Sequence, residues 1–306
     1  MLGGFLALLS AMSFAFNDVA VRRGILYNSV YKSIAVTVPI GVPLFIFAIL
    51  IFDCVEALLD QTPQSVFFFA IAGIIHFIFG RFCNYKSIEC LGTTIAGPII
   101  QTSLLISVFF AFFILHEVFT YLHLLGILLI LFGPIIILTG RGNKTTRAGI
   151  KIDYTRGFIW GILCSLSYGT SPLLIKLGSN DGGIRDNIAG GFISYLFASI
   201  VLFIIITISR VPLKEIYRLE PEGKKWFLIT GVMAFVSQLL RYMALALLAM
   251  SLVEPIQRSS TAFRVLFGYL LNRKYEIINI RVLFGIAISI IGVYVLIYQL
   301  QQSSDF

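Results

Sequence analysis

The sequence predicts an all-α integral membrane protein, with ten transmembrane helices arranged as two inverted-topology five-helix repeats. Three observations lead there. Hydrophobic residues make up 58% of the 306-residue chain and charged ones only 12%, with a mean hydropathy of +0.94, too apolar for a surface facing water. The apolar residues gather into about ten runs of roughly 20 residues, the length that crosses a bilayer core of about 30 Å as a helix. The pattern is also written twice. Residues 84–103, NYKSIECLGTTIAGPIIQTS, align without a gap on residues 241–260, RYMALALLAMSLVEPIQRSS. Tyr85 falls on Tyr242, Pro98-Ile99 on Pro255-Ile256, and Thr102-Ser103 on Ser259-Ser260.

The runs of the first copy, residues 1–140, are 2–21, 33–52, 66–85, 93–114 and 119–139. Those of the second, residues 157–306, are 157–177, 188–208, 226–246, 252–271 and 281–299. Lipid has no partner for backbone N–H and C=O groups, so each run should be a helix. A membrane barrel would need short alternating segments instead. The first run has no basic start or small-residue cleavage site and ends in Arg22-Arg23, which marks it as a retained helix rather than a signal peptide. The fourth and ninth runs are interrupted at corresponding places, by Gly97-Pro98 and Glu254-Pro255. Gly126 and Gly133 in the fifth run match Gly285 and Gly292 in the tenth, and such small-residue faces let membrane helices approach closely. The fifth and tenth are therefore expected to be packing helices or homodimer contacts. A basic polar loop, residues 141–156, joins the copies.

Five crossings per copy turn the second copy upside down relative to the first. Many secondary transporters are built this way, because two mirrored gates then share one central site. The net charge of +8 does not point to nucleic acid, since the basic residues are spread over short connections rather than gathered in a patch. Seventeen Lys and Arg fall on one side of the predicted topology, against Lys176 and Arg185 on the other. The richer side is assigned to the cytoplasm of a cell with this chain in its plasma membrane, with both termini outside.

Cys54, Cys83, Cys90 and Cys164 have no ligand spacing, so no disulfide framework or metal site is expected. His116 and His123 flank a short turn and His76 lies alone among phenylalanines, which is no metal motif either. No cofactor is expected, and the absence of a nucleophile elbow or a phosphate-cradling glycine loop argues against an enzyme.

Charges inside a span are costly and mark function by default; here they are Asp18, Arg81, Arg241, Glu254, Arg258 and Arg264. Glu254 and Arg258 stand four apart with the acid first, the favourable order for a pair. Either they neutralise each other, or Arg258 is partly free to hold an anionic group. Asp18 precedes Arg22 by four and is either an interfacial partner of it or, like Glu254, a proton-coupling acid. Arg81 and Arg241 either snorkel to the headgroups or line the site. Paired interruptions are the best sequence pointer to a transporter site, although Pro255 could equally begin a helix. Polar clusters follow both prolines, Gln101 to Ser103 and Gln257 to Thr261.

The run ALLSAMSFAFNDVAVRRG, residues 7–24, resembles the first helix of the EamA-type branch of the drug/metabolite transporter superfamily. Phe14 to Asn17, with Arg22 and Gly24, carry the likeness, and Tyr168 to Ser171 with Lys176 and Gly178 repeat it. His116-Glu117 half matches the Gly-Glu turn with which the family's fourth helix often ends, whereas the second copy has Asn272-Arg273-Lys274 there. The resemblance implies ten helices in two inverted bundles. It places a cavity between the first, third, fourth, sixth, eighth and ninth, and implies transport of amino acids, other metabolites or toxic cations. The family commonly keeps both termini inside, opposite to the charge count.

The combined expectation is a permease that moves a small solute by alternating access. Four arginines within spans against two carboxylates favour an anionic or zwitterionic solute. The candidate binding residues are Asn17, Gln101, Ser103, Tyr168, Ser171, Gln238, Arg241, Gln257 and Arg258, with Asp18 and Glu254 for protons. The other reading is a non-transporting scaffold or accessory subunit of the same fold.

Overall fold

Residues 2–116, 121–139, 145–179, 182–278 and 280–303 are described by a computed structural model. Seven of their helices are long and apolar enough to cross a membrane: α1 (Leu2–Gly24), α2 (Val30–Ile51), α3 (Pro63–Leu91), α4 (Thr93–Phe113), α6 (Tyr154–Ser179), α7 (Ile184–Ile208) and α8 (Pro221–Leu247). The other predicted runs fall on α5 (Tyr121–Thr139), on α9 (Met250–Arg258) followed by α10 (Ser260–Asn272), and on α11 (Ile280–Ser303).

Local chemistry sets the helix starts. The Ser29 hydroxyl accepts from Lys32 N ahead of α2, and Thr62 accepts from Ser65 N with Pro63 in the first turn of α3. Both hydroxyls satisfy amide donors that a helix start leaves over. Asp186 accepts from Gly183 N at 2.9 Å and does the same for α7. Inside α2 the regular helix lapses over residues 38–40, around Pro39, which has no N–H to give. Inside α3, residues Ile74–Gly80 form a π-helix, an arrangement that recurs at functional sites.

The packing is reciprocal. α1 lies against α8, and α6 against α3; α2 also packs on α8, and α7 on α3. The α1–α8 crossing is tied by Ser10 Oγ donating to Ser237 O at 2.6 Å and Ser237 Oγ donating to Ser10 O at 3.0 Å. At the α6–α3 crossing Ser167 Oγ donates to Ile75 O at 2.5 Å. α5 and α11 pack on each other, with Gly126, Gly133, Gly285 and Gly292 buried. These glycines thus serve packing within one chain.

The basic connections meet at one end of the bundle. There Arg22 donates to Ile88 O and Glu89 O, both at 2.9 Å, and to Tyr275 O at 3.3 Å. Lys32 Nζ donates to Arg218 O at 2.7 Å, and Ala148 N to Lys274 O at 3.0 Å. Gly92 links α3 to α4 with φ of +79°, a left-handed conformation that suits glycine.

α3 and α7 touch at backbone level, where a Cβ on Gly73 would fall on the Ser194 carbonyl. Gly73→Ala should therefore destabilise by about 1–3 kcal/mol, the usual cost of overpacking. Gly4→Ala should be silent, because its Cβ would meet only Ile256 Cδ1 at 3.9 Å. Thermal unfolding of the two variants in detergent checks the contrast.

Candidate functional site

The site forms where two helices break. α4 lapses at Gln101 and Thr102, between Thr93–Ile100 and Ser103–Phe113, and α9 gives way to α10 at Ser259. A break inside a membrane exposes carbonyls that need donors. The hydroxyls that follow supply them: Thr102 to Ile99 O, Ser103 to Ile100 O and Ser259 to Ile256 O, each at 2.7 Å. Pro98 and Pro255 lie inside the short helices, three and four residues before the breaks.

Glu254 is fully buried between two arginines. Its Oε1 accepts from Arg241 Nη2 at 2.9 Å, and its Oε2 from Arg258 Nη2. Arg258 Nη1 donates to Ser103 Oγ at 2.5 Å, and Gln101 Nε2 to Arg258 O at 2.9 Å. The two broken helices are thereby joined side chain to side chain. A second buried pair runs between Asp18 and Arg264, 2.5 Å apart. Asp18 Oδ1 also accepts from Asn84 at 2.9 Å and Asn17 at 3.0 Å, and the Tyr85 hydroxyl donates to Asn17 Oδ1 at 3.2 Å.

His76, on the π-helix, connects the two halves of the site. Its Nδ1 lies 2.8 Å from Ser171 Oγ and 3.4 Å from Arg241 Nη1, and its Nε2 lies 3.2 Å from Gln238 Nε2. The ring stacks on Tyr168 with centroids 4.3 Å apart. Phe14 packs edge-on against Tyr168 and lies under the Arg264 guanidinium.

These groups line a cavity of about 30 Å³, room for water and too tight for a metabolite. Its lining comes from α1 (Phe14), α3 (His76), α4 (Ile100, Gln101), α6 (Tyr168), α8 (Ser237, Gln238, Arg241), α9 (Gln257, Arg258) and α10 (Ser260, Arg264). Gln101 Oε1, Gln238 Oε1 and Gln257 Nε2 are buried with no partner. Three guanidinium groups, Arg241, Arg258 and Arg264, face two carboxylates. No cluster of three His, Cys, Asp or Glu side chains that could hold a metal exists among the described residues.

The model of the EamA-like transporter family matches residues 1–139 and 155–298. The chain belongs to that family. It is thus an integral membrane transporter of the drug/metabolite superfamily, working on a small solute. A solved structure described as "Crystal structure of protein" superposes on this EamA-like chain with a TM-score of 0.67 at 15% identity, covering 96% of this chain and 94% of that one. That likeness supports the fold. No curated protein matches.

Of the residues singled out from the sequence of this EamA-like transporter, Gln101, Tyr168, Gln238, Arg241, Gln257 and Arg258 line the cavity. Ser103 and Ser171 bond to lining side chains, Arg258 and His76. Asn17 sits behind them on Asp18 and Tyr85. Two of the alternatives are closed. Asp18 pairs with Arg264 rather than Arg22, which is taken up by backbone carbonyls. Arg81 does not snorkel: it is buried, donating to Thr37 O at 3.1 Å and to the Tyr195 hydroxyl at 2.8 Å. Glu117 lies outside the described residues. His76 was missed as a lining residue. The signal was present, an imidazole in the middle of a span, but His76 was weighed only as a metal ligand and set aside as lying alone among phenylalanines.

Removing one member of a buried ion pair leaves an uncompensated charge and costs roughly 3–5 kcal/mol. Asp18→Asn and Arg264→Gln should each lower the melting temperature sharply. The double variant should recover most of the loss, which a thermal double-mutant cycle measures.

Proposed function

We propose that the chain is a permease of the plasma membrane that moves a small anionic or zwitterionic solute by alternating access. Residues 1–140 and 157–306 act as two inverted five-helix repeats joined by the basic loop 141–156. The reciprocal packing of α1 on α8 and α6 on α3, and a family match in two blocks, support the repeats. Seven candidate spans together with α5, α9–α10 and α11 make up the ten crossings. The clustering of basic connections at one end supports a cytoplasmic face there, with both termini outside.

The observation that carries the solute class is the surplus of one guanidinium over carboxylates around the cavity. Glu254 serves both Arg241 and Arg258. An incoming carboxylate or phosphate accepts from Arg258 in place of Glu254, which stays with Arg241. Two unpartnered glutamine oxygens, Gln101 Oε1 and Gln238 Oε1, are available to a donor on the same solute, such as an ammonium or N–H. Tyr168 and His76 supply a flat wall. Because Arg258 is also bonded to Ser103 on α4, exchanging its partner loosens one broken helix from the other. That is the step by which binding opens the far gate.

The test is a thermal-stability screen in detergent against amino acids, organic anions, nucleobases and quaternary cations. A ligand at about 100 times its Kd stabilises by roughly 2.7 kcal/mol. The expected hit lies among the anions or amino acids and disappears in Arg258→Ala, while the variant alone still melts cooperatively. A hit confined to quaternary cations, or one unchanged in Arg258→Ala, contradicts the assignment. Stabilisation by none of the four classes would favour a scaffold.

A further inference from the structure

A larger cavity than that of the polar centre lies on the outer face of the bundle. It measures about 330 Å³, against about 30 Å³ for the polar one. α2, α3 and α7 form it, and its walls are almost wholly apolar: Ile34, Ile78, Phe82, Leu202 and Ile206. Its mouth, at the end where the basic connections meet, is made by Tyr31, Ser209 and Val211, with Ile216 from the short helix Leu213–Ile216.

That mouth is positively charged. Arg210 stands between the lining residues Ser209 and Val211, held there with φ of +55°. Lys214 lies on the same short helix as Ile216. Lys86 Nζ sits 5.4 Å from the centre of the Tyr31 ring, and Lys32 follows Tyr31 and donates to Arg218 O at 2.7 Å. Of the acids nearby, Glu89 is bound to Lys86 at 2.7 Å, and Glu215 shares the short helix with Lys214. Basic charge is left over at the rim of this apolar slot.

We propose that this slot binds one acyl chain of an anionic phospholipid, with its phosphate on Arg210 and Lys214 and with Lys32 and Lys86 beside it. Depth and apolarity fit a chain, and the charge at the mouth selects the headgroup. Basic side chains at a membrane surface each favour anionic lipid by an amount equivalent to about fivefold in affinity. The site reaches the centre of the protein through one element. Ile78 lines the slot and His76 lines the polar cavity, and both lie on the π-helix Ile74–Gly80. An occupied slot therefore holds the segment that positions His76. The lipid site stands on its own geometry, whatever solute the centre takes.

Native mass spectrometry of the delipidated full chain, titrated with phosphatidylglycerol or phosphatidylcholine of identical acyl chains, tests this. One phosphatidylglycerol per chain should be retained at least about tenfold more tightly than phosphatidylcholine. Arg210→Ala combined with Lys214→Ala should weaken it by about 25-fold if the two act independently. Ile205→Trp, placed on an exposed lining position, should exclude it by filling the slot; thermal melting of each variant confirms the fold. Equal retention of the two lipids overturns the proposal, as does unchanged phosphatidylglycerol binding in either folded variant.

Discussion

A guanidinium group surrounded by lipid-depth protein must be paired, because the desolvation of an unpaired charge costs several kcal/mol. The centre of this protein is organised around that requirement. Glu254 holds Arg241 of α8 and Arg258 of its own helix at once, and Arg258 reaches across to Ser103 on α4. Asp18 does the same for Arg264, with Asn84 and Asn17 as its further donors. Six helices, α1, α3, α4, α8, α9 and α10, are thus tied together through two carboxylates. Neither acid can be moved without leaving a cation behind.

The second constraint is backbone satisfaction. Helices that cross lipid can break only where side chains or other protein supply hydrogen bonds. The clusters Gln101 to Ser103 and Gln257 to Thr261 meet that need in two ways. Thr102, Ser103 and Ser259 return their hydroxyls to carbonyls three residues earlier, while Gln101 and Gln257 face the cavity. The hydroxyls build the break and the amides furnish what it exposes. The charge around the cavity is uneven between the halves: all three lining arginines come from α8, α9 and α10. Under the proposed function, a solute entering from either side would meet its anchor on the second half.

The helices were legible because lipid imposes a length and an apolarity that a sequence shows directly. Their ends were less so. The third run, read as 66–85, is part of a helix from Pro63 to Leu91, which continues through Lys86 and Glu89, paired with each other. The breaks were foreseen at the prolines but occur at Gln101–Thr102 and Ser259, where hydroxyls replace lost helical donors. Glu254 with Arg258 could be read from their spacing of four. Asp18 with Arg264 could not, since no local pattern announces a partner 246 residues away, and spacing pointed to Arg22 instead. His76 escaped for the opposite reason: its local neighbours are apolar, and only folding brings Ser171, Gln238 and Arg241 to it.

The central claim is that this paired, narrow centre opens alternately to the two sides of the membrane. Ser260 lines the cavity and accepts a conservative thiol. In a chain otherwise freed of Cys54, Cys83, Cys90 and Cys164, Ser260→Cys should react with a membrane-impermeant thiol reagent from each face, in right-side-out and inverted vesicles alike. The solute found by thermal screening should protect it from both. Reaction from neither face, in protein that still melts cooperatively, would contradict alternating access and leave the polar centre as a structural clasp.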